Sequence, residues 1–268
     1  MQAVPGFGYG ADAGPWAVAH RGGAGLAPEN TMEAFARSYA LGVRYLETDL
    51  RVTADGACVA FHDETLDRVT DGRGPLRRRT WGEVARLRVG GSGRVPLLGD
   101  LLDAFPDARF AVDVKDRRAI GPLADLLRTR GVAERVCVAG AWDSWLGELR
   151  ERVGPGLVSA LGWRSLSTLV GCARAGVRPP GSLVTGSFVH VPLRLGGLTV
   201  FSERLVDIAH SLGVRVLVWT VDEPTLMHRV LDRGADGVIT NRPDLLREVL
   251  LARGQWRPMT EPECAWSP

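Results

Sequence analysis

The chain has 268 residues, of which 45% are hydrophobic and 24% are charged, and its formal net charge at pH 7 is +2. This composition excludes an intrinsically disordered chain, and the small net charge gives no reason to expect a nucleic-acid partner. No window approaches the roughly 18 to 20 apolar residues of a membrane span, so no transmembrane segment is expected.

The chain ends and the cysteines indicate the cellular compartment in which the protein acts. Residues 1–15 are rich in Gly and Pro and lack both the basic start and the apolar stretch of a signal peptide, so they predict an irregular lead-in. Residues 254–268 are expected to form a poorly ordered tail. The four cysteines are scattered and show no zinc-binding spacing. These features together predict a cytoplasmic protein.

Apolar runs that alternate with helical patterns predict eight strands and eight helices. The strands are expected at 16–20, 45–52, 109–115, 135–139, 157–161, within 183–191, at 214–220 and at 237–240. The helices are expected at 30–41, 98–105, 120–130, 142–153, 166–175, 202–212, 224–232 and 243–251. A short extended segment at 57–62 follows the second strand through an Asp55-Gly56 turn.

Strands that alternate with helices form parallel βαβ units, and eight such units are the number of the (β/α)8 TIM barrel. An open doubly wound sheet is the alternative, but the chain lacks the glycine-rich phosphate-binding fingerprint of that fold. No break in composition divides the chain. We therefore predict one α/β barrel domain over residues 16–253.

Polar side chains close the first three predicted strands. In chain order they are His20, Arg21, Glu47, Asp49, Asp113 and Lys115. Period-two alternation places Glu47 and Asp49 on one face of the second strand, and Asp113 and Lys115 on one face of the third. Active sites of such barrels lie at the carboxyl ends of the strands, so these side chains are expected to face one mouth.

Three carboxylates at one mouth point to a bound cation. Glu47, Asp49 and Asp113 would repel one another unless a positive charge neutralises them. A hard divalent ion with oxygen ligands does this, and Mg²⁺ and Ca²⁺ are the natural candidates. The alternative is ordinary ion pairing at the strand ends, for example of Glu47 with Arg44 or Arg51.

A second histidine and a single lysine add to this set. His62 ends the extended segment, and two histidines beside a cationic mouth suit an acid–base pair, one deprotonating a nucleophile and one protonating a leaving oxygen. Lys115 is the only lysine beside 32 arginines. A site that requires a compact point charge would keep a lysine in such a chain.

Longer motifs surround these residues. They are AHRGG at 19–23, APENT at 27–31, ETD at 47–49, TADG at 53–56, HD at 62–63, the stretch 66–74, VDVK at 112–115, VWTVD at 218–222 and GADGVITNRP at 234–243. In order and spacing they resemble the signature of the glycerophosphodiester phosphodiesterase family over roughly residues 16–253. The resemblance implies a TIM barrel with a small insertion after the second strand, at about 55–97.

The resemblance also implies an activity and roles for single residues. The activity is metal-dependent hydrolysis of a small-molecule glycerophosphodiester to glycerol 3-phosphate and an alcohol. The acid–base histidines would be His20 and His62. The phosphate oxygens would be held by Arg21 and Lys115. The ligands of one divalent ion, Mg²⁺ or Ca²⁺, would be Glu47, Asp49 and Asp113. The site would also be lined by Glu29 and Trp219, with Trp219 against the alcohol.

Four positions depart from the family pattern, and they leave the identity of the alcohol open. Asp113 stands where Glu is usual. Asp222 stands where Asn is common, and Asn241 where Asp is common. His190 stands where many relatives have a different polar residue.

Two other functions stay open. A phospholipase D-like activity on lysophospholipids or sphingomyelin shares part of the signature, but TNRP at 240–243 resembles the glycerophosphodiesterase branch more closely. The chain also lacks an amphipathic or strongly apolar segment that would suggest contact with a bilayer. A non-catalytic barrel that binds phosphodiesters would be favoured if His20, Glu47, Asp49 or His62 had been lost, and all four are present.

Overall fold

The computed structural model describes residues 8–257. In chain order its strands are β1 (Trp16–Ala19), β2 (Tyr45–Val52), β3 (Cys58–Ala60), β4 (Arg109–Val114), β5 (Val136–Gly140), β6 (Val158–Ser159), β7 (Phe188–Pro192), β8 (Arg194–Leu195), β9 (Leu198–Thr199), β10 (Arg215–Trp219) and β11 (Gly237–Thr240). Its helices are α1 (Met32–Ala40), α2 (Trp81–Val84), α3 (Leu98–Ala104), α4 (Ile120–Arg130), α5 (Asp143–Val153), α6 (Trp163–Ala175), α7 (Glu203–Ser211), α8 (Pro224–Asp232) and α9 (Pro243–Ala252).

Eight of the strands form a parallel barrel. Their order is β6-β5-β4-β2-β1-β11-β10-β7. The gap between β7 and β6 is bridged at Ala160 and Phe188, and the Leu161 N–H donates to the Phe188 carbonyl at 2.8 Å. Each barrel strand is followed by a helix, and apolar side chains fill the layer between strands and helices. The predicted (β/α)8 TIM barrel is confirmed.

The barrel interior is filled at the amino ends of the strands. Along β1, Trp16 and Val18 belong to the interior cluster, whereas the residues between and after them face the helices. Tyr9, from the segment before β1, closes this end, because its ring lies 5.1 Å from that of Tyr45 and 5.0 Å from that of Phe188. The carboxyl ends of the strands are thereby left for a pocket.

An insertion lies between β2 and α3, where the resemblance placed it. β3 pairs antiparallel with β2, so that Ala60 lies opposite Leu50, and the Phe61 N–H donates to the Asp49 carbonyl at 2.9 Å. The insertion has its own apolar cluster of Val59, Phe61, Leu66, Leu76, Val84, Val89 and Val95. Because the chain runs back along β2, His62 returns to the carboxyl end of the barrel.

Most element bounds agree with the sequence prediction to within a few residues, and two differences have identifiable structural causes. β1 ends at Ala19 because residues 20–22 form a 3₁₀ turn. The helix α6 begins at Trp163, three residues earlier than predicted, because Asp143 accepts a hydrogen bond from the Arg164 N–H at 3.1 Å and another from the Ser165 hydroxyl. This cap comes from a distant part of the chain, which a local pattern does not reveal.

Some expectations are not tested by the fold. Residues 1–7 and 258–268, which include parts of the expected lead-in and tail, lie outside the described residues. The limits of a single domain at 16–253 stay a prediction. Within residues 8–257, every helix is too short or too polar to cross a membrane.

The guanidinium of Arg135 joins α3 to the barrel. The side chain is buried, and it donates to the carbonyls of Leu102 at 2.6 Å and of Phe105 and Ala108 at 3.0 Å each. These carbonyls lie at and beyond the carboxyl end of α3, where helix carbonyls have no partner within the helix. Burial lowers the pKa of Arg135 to about 10. One arginine therefore satisfies three buried acceptors.

We expect Arg135→Leu to lower the free energy of unfolding by about 2–4 kcal/mol, because buried carbonyls would lose their donors. Urea denaturation followed by circular dichroism measures this. Arg128→Leu, at an exposed position of α4, is the matched control and should change stability by less than about 0.5 kcal/mol. Equal stability of the Arg135 variant and the control would contradict the role given to Arg135.

Candidate active site

A pocket of about 300 Å³ opens at the carboxyl ends of the barrel strands. Eight of the nine site residues predicted from the sequence line it: His20, Arg21, Glu47, Asp49, His62, Asp113, Lys115 and Trp219. The ninth, Glu29, was expected to line the site but is not among the residues that line the pocket, and it accepts a hydrogen bond from Arg21 Nη1 at 2.9 Å. The structure thus brings the predicted residues together, while their roles stay a prediction.

The turn after β1 gives the pocket a backbone donor. Arg21 has a φ of +50°, a left-handed conformation that is uncommon for a residue with a side chain. Its N–H donates to Glu47 Oε2 at 2.7 Å. The next two residues must be glycines, because a Cβ at Gly22 would lie 3.0 Å from Phe35 and one at Gly23 would lie 2.4 Å from Ser38 Oγ. The HRGG sequence therefore permits this tight turn.

Asp49 is the most deeply buried acid of the pocket, at 1% exposure. It lies opposite Asp113 on the neighbouring strand β4. Lys115 Nζ stands between the two carboxylates, 3.1 Å from Asp49 Oδ1 and 2.6 Å from Asp113 Oδ2. Asp49 Oδ2 also lies 3.2 Å from Arg21 Nε and accepts a hydrogen bond from Asn30 Nδ2 at 3.0 Å.

These contacts decide the charge of Asp49 and Lys115. Burial by itself would raise the pKa of Asp49, but Lys115 and Arg21 outweigh it, so the pKa lies below its ordinary value. Burial would lower the pKa of Lys115, but Asp113 and Asp49 raise it above its ordinary value. Both groups are therefore charged at neutral pH.

Glu47 has a different environment. Burial, followed by the charge of Asp49, raises the pKa of Glu47 well above its ordinary value. Its partners are the Arg21 N–H and His20 Nε2, which lies 4.0 Å from Glu47 Oε2. A buried carboxylate beside a second one is an environment that a divalent cation would stabilise.

Lys115 lies between two of the three predicted metal ligands. Within residues 8–257, no group of three or more His, Cys, Asp or Glu side chains is gathered closely enough to hold a metal ion. Asp49 and Asp113 are instead bridged by the lysine. The donor set of oxygen ligands suits Mg²⁺ or Ca²⁺, and the metal role of Glu47, Asp49 and Asp113 stays a prediction.

His20 is held in one tautomer by two polar residues. Asn241 Nδ2 donates to Asp222 Oδ2 at 2.9 Å, so the amide oxygen of Asn241 faces the histidine. His20 Nδ1 donates to that oxygen at 2.7 Å, which leaves Nε2 without a proton in the neutral ring. Burial lowers the pKa of His20. Two positions that depart from the family pattern thus form one chain of hydrogen bonds.

His62 is tied to Arg21 through the insertion. His62 Nδ1 lies 2.6 Å from Asp63 Oδ1. Arg68 Nε donates to Asp63 Oδ2 at 2.6 Å, and both of its terminal nitrogens donate to Glu29, at 2.7 and 2.9 Å. Since Glu29 also accepts from Arg21, five charged or polar side chains form a continuous network from one side of the mouth to the other.

The side of the pocket beyond β4 is apolar. It is formed by residues from the starts of α5 and α6, namely Trp142, Trp145, Leu161, Trp163 and Leu166. His190 of β7 also lines the pocket, and burial lowers its pKa to about 4, so the ring is neutral at neutral pH. His190 Nε2 has no hydrogen-bond partner among the described residues. The pocket therefore has a charged half and an apolar half.

The ion-pair alternative is wrong for Glu47, because Arg44 and Arg51 have other partners. Arg44 pairs with Asp107 at 2.8 Å, and Arg51 Nε donates to the His62 carbonyl at 2.7 Å. The bridging role of Arg68 was not predicted. The apolar wall of the pocket, made of Trp142, Trp145, Leu161, Trp163 and Leu166, was not predicted either. The sequence does indicate this wall, because Trp142 and Trp163 closely follow the carboxyl ends of the fourth and fifth predicted strands.

Most of this chain matches a known protein family and its members. The sequence profile of the Glycerophosphoryl diester phosphodiesterase family matches residues 20–245. The probable glycerophosphodiester phosphodiesterase 2 of Mycobacterium tuberculosis is 38% identical over 248 residues, which cover 90% of this chain and 92% of that protein.

Two solved structures have the same fold. A putative glycerophosphodiester phosphodiesterase from Galdieria sulphuraria is 25% identical, with a TM-score of 0.74 over 89% of this chain and 98% of that one. A phosphodiesterase from Oleispira antarctica, solved with the product sn-glycerol-3-phosphate, is 19% identical, with a TM-score of 0.74 over 87% of this chain and 95% of that one. At this identity the second likeness concerns the fold alone.

The network through Arg68 predicts a titration. The hydrogen bonds of Arg68, together with His62, lower the pKa of Asp63 to about 2. We expect Arg68→Ala to raise it toward its ordinary value of about 3.9, and Arg68→Lys to raise it less, because an ammonium cannot grip two carboxylates at once. Because the folded pKa is depressed, the pairing stabilises the fold above about pH 4 and is lost as the pH falls toward about 2.

Carboxyl carbon NMR during an acid titration measures this pKa. Arg73→Ala is the matched control, because Arg73 is an exposed arginine of the same insertion, 3.8 Å from Asp67, and it should leave Asp63 unchanged. An Asp63 pKa that stays near 2 in Arg68→Ala would show that His62 alone determines it.

Proposed function

The chain belongs to the glycerophosphoryl diester phosphodiesterase family, and from that premise we propose that it hydrolyses glycerophosphodiesters to glycerol 3-phosphate and an alcohol. The observation that carries the proposal is the placement of two histidines, two cations and three carboxylates in one pocket at the barrel mouth. The likeness to the M. tuberculosis relative, by its name a probable glycerophosphodiester phosphodiesterase, supports it. A non-catalytic barrel would have no need to bury two carboxylates beside a histidine of fixed tautomer.

A divalent ion, Mg²⁺ or Ca²⁺, would be held by Glu47, Asp49 and Asp113. When bound, such an ion polarises the phosphoryl group and acidifies a water or a hydroxyl of the substrate. The raised pKa of Glu47 supports this assignment, because a cation would offset the repulsion between its carboxylate and Asp49. Lys115 would then turn from the carboxylates toward the phosphate.

The phosphate oxygens would be bound by Arg21 and Lys115. Both cations are partly buried and lie within 3.2 Å of the Asp49 carboxylate, so they are held at the mouth where the phosphate would bind. Charge on the non-bridging oxygens is stabilised by such fixed cations in a site with little water. Trp219 would contact the alcohol, and Glu29 would orient Arg21.

The proton transfers would be divided between the two histidines. His20 Nε2, which carries no proton in the tautomer set by Asn241, would accept the proton of the attacking oxygen. That oxygen comes from water or from the substrate's own glycerol hydroxyl, and it bonds to phosphorus as the bond to the leaving alcohol breaks. Attack by water gives glycerol 3-phosphate directly, whereas attack by the glycerol hydroxyl gives a cyclic phosphate whose ring a water molecule must then open to give glycerol 3-phosphate. His62 would give a proton to the leaving oxygen, and Asp63, whose Oδ1 lies 2.6 Å from His62 Nδ1, would orient the ring.

Some expectations from the sequence remain predictions. We expect the protein to act in the cytoplasm on small molecules, without a nucleic-acid partner. Fractionation of the source cells would test the location.

The function is tested with purified protein and a panel of substrates. The panel consists of glycerophosphocholine, glycerophosphoethanolamine, lysophosphatidylcholine, sphingomyelin and bis(p-nitrophenyl) phosphate. We expect glycerol 3-phosphate from the first two substrates, loss of this activity in EDTA, and its return with Mg²⁺ or Ca²⁺, because the ion would polarise the phosphoryl group. Turnover that persists in EDTA would contradict the metal requirement. Absence of turnover on every substrate of the panel would contradict the proposed function.

The roles of the histidines predict a leaving-group effect. His62→Ala should reduce kcat on glycerophosphocholine by on the order of 10² to 10⁴. The loss should be much smaller on bis(p-nitrophenyl) phosphate, whose nitrophenolate leaves without a proton. His20→Ala, the matched variant, should lose activity on both substrates. Equal losses of His62→Ala on the two substrates would show that His62 is not the general acid.

A further inference from the structure

One histidine of the pocket has no role in the proposed chemistry. His190 lies on β7 and lines the pocket together with His20 and His62. His20 contacts Asn241 and His62 contacts Asp63, whereas His190 Nε2 is buried and has no hydrogen-bond partner among the described residues. A buried polar nitrogen without a partner costs free energy, so a pocket that contains one is expected to bind a ligand that completes it.

The register of β7 points this ring into the barrel. Val189 and Val191, on either side of His190, pack in the layer between strands and helices, whereas Phe188 belongs to the interior cluster. On the neighbouring strand β10, the residue opposite His190 is Leu217, which is also an interior residue. Since side chains alternate along a strand, His190 lies inside the barrel, one step nearer the mouth than Phe188.

The bottom of the pocket beside His190 is apolar. Four residues belong to the interior cluster and also line the pocket, and together they form the pocket floor: Ala111, Ala139, Ala160 and Ile239. Three of them are alanines on the neighbouring strands β4, β5 and β6, and their short side chains leave space at depth. Ala160 forms a bridge with Phe188 of β7, two residues before His190. His190 is therefore a polar group beside a floor of small apolar side chains.

The substrates of the proposed reaction have one constant end and one variable end. The glycerol of a glycerophosphodiester is the same in every substrate, whereas the leaving alcohol differs in size and charge. A variable group is accommodated on the open side of the pocket, where the rings of Trp142 and Trp163 are exposed. The glycerol is short enough for the enclosed floor, next to Asp113, which follows Ala111 on the same face of β4.

We propose that His190 binds the terminal hydroxyl of the substrate's glycerol and thereby selects glycerophosphodiesters over diesters of other small alcohols. The inference rests on the proposed function, because the phosphate would occupy the charged half of the same pocket. A hydroxyl that enters an apolar floor loses its water and needs a partner there. Burial lowers the pKa of His190 to about 4, so the neutral ring can donate from one nitrogen and accept at the other.

The two hydroxyls of the glycerol have different surroundings. The hydroxyl on the middle carbon is close to phosphorus, where it is a candidate for the attacking group beside His20. The terminal hydroxyl is one carbon farther from phosphorus and extends away from that centre. His190 is near enough to Asp113 for this carboxylate to oppose the effect of burial on the pKa of the ring. The ring and the charged half therefore face one space, which a three-carbon chain bound at its phosphate would enter.

The test uses two substrates that differ in one oxygen. They are glycerophosphocholine and its 1-deoxy analogue, in which a methyl group replaces the terminal hydroxymethyl group. Both release choline, and both keep the hydroxyl on the middle carbon. We expect kcat/KM for glycerophosphocholine to exceed that for the analogue by about 10- to 100-fold, because the analogue leaves the imidazole unpaired. Equal values, with glycerophosphocholine hydrolysed, overturn this inference and leave the proposed function standing.

Variants assign the preference to the imidazole. His190→Leu should reduce the preference to less than about threefold, by lowering kcat/KM for glycerophosphocholine with little change for the analogue. His190→Gln, whose amide still donates and accepts, should keep most of the preference. His228→Leu, at a histidine of α8 that does not line the pocket, is the matched control and should leave both substrates unchanged. Thermal melting checks that the variants are folded.

Three further outcomes decide the inference. Equal losses on both substrates in His190→Leu would assign the ring to the phosphate or to packing and overturn it. Product inhibition needs no variant: glycerol 3-phosphate should inhibit the wild-type protein about 10- to 100-fold more strongly than 1-deoxyglycerol 3-phosphate, and equal inhibition would overturn the inference. Absence of choline release from both substrates, with no turnover elsewhere in the panel, would overturn the proposed function and this inference with it.

Discussion

The burial of two carboxylates at the barrel mouth is the constraint on which the site depends. Glu47 and Asp49 are 6% and 1% exposed, and a buried charge is costly unless it is paired or hydrogen-bonded. Neighbouring groups offset that cost. The left-handed turn at Arg21 supplies a backbone N–H to Glu47, and Lys115 supplies a positive charge to Asp49. The glycines that permit the turn and the single lysine beside Asp49 serve the same requirement.

Beyond these two carboxylates, positively and negatively charged side chains alternate from the pocket into the insertion. Arg21 is itself balanced by Glu29, Glu29 by Arg68, and Arg68 by Asp63, which reaches His62. The insertion is therefore part of the site, because it supplies the last three members of this series. Without Arg68, Glu29 would keep Arg21 as its partner, whereas Asp63 would keep only His62, which is why that arginine is expected to affect Asp63.

The sequence predicted the barrel and the inner layer of the site because both follow from local rules. Strand ends and period-two alternation identify which side chains face the mouth, as they do for Glu47 and Asp49. The outer layers depend on contacts between distant segments. Arg68 lies 39 positions from Glu29, and Asp143 caps a helix 21 positions away, so no local pattern reveals either pair. His62 was predicted from its position at the end of the extended segment after the second strand, and its return to the mouth depends on the pairing of β3 with β2.

The order of strands around the barrel divides the pocket in two. The charged residues lie on neighbouring strands β1, β2 and β4, and the apolar wall follows β5 and β6, the next strands along the same direction. A change in the charged half disturbs buried charges that stabilise one another, so its composition is tightly constrained. The wall is carried by loops whose rings are exposed at the rim, and a change there costs little in buried charge. The choice of substrate can therefore change through the loops after β5 and β6 while the charged half stays as it is.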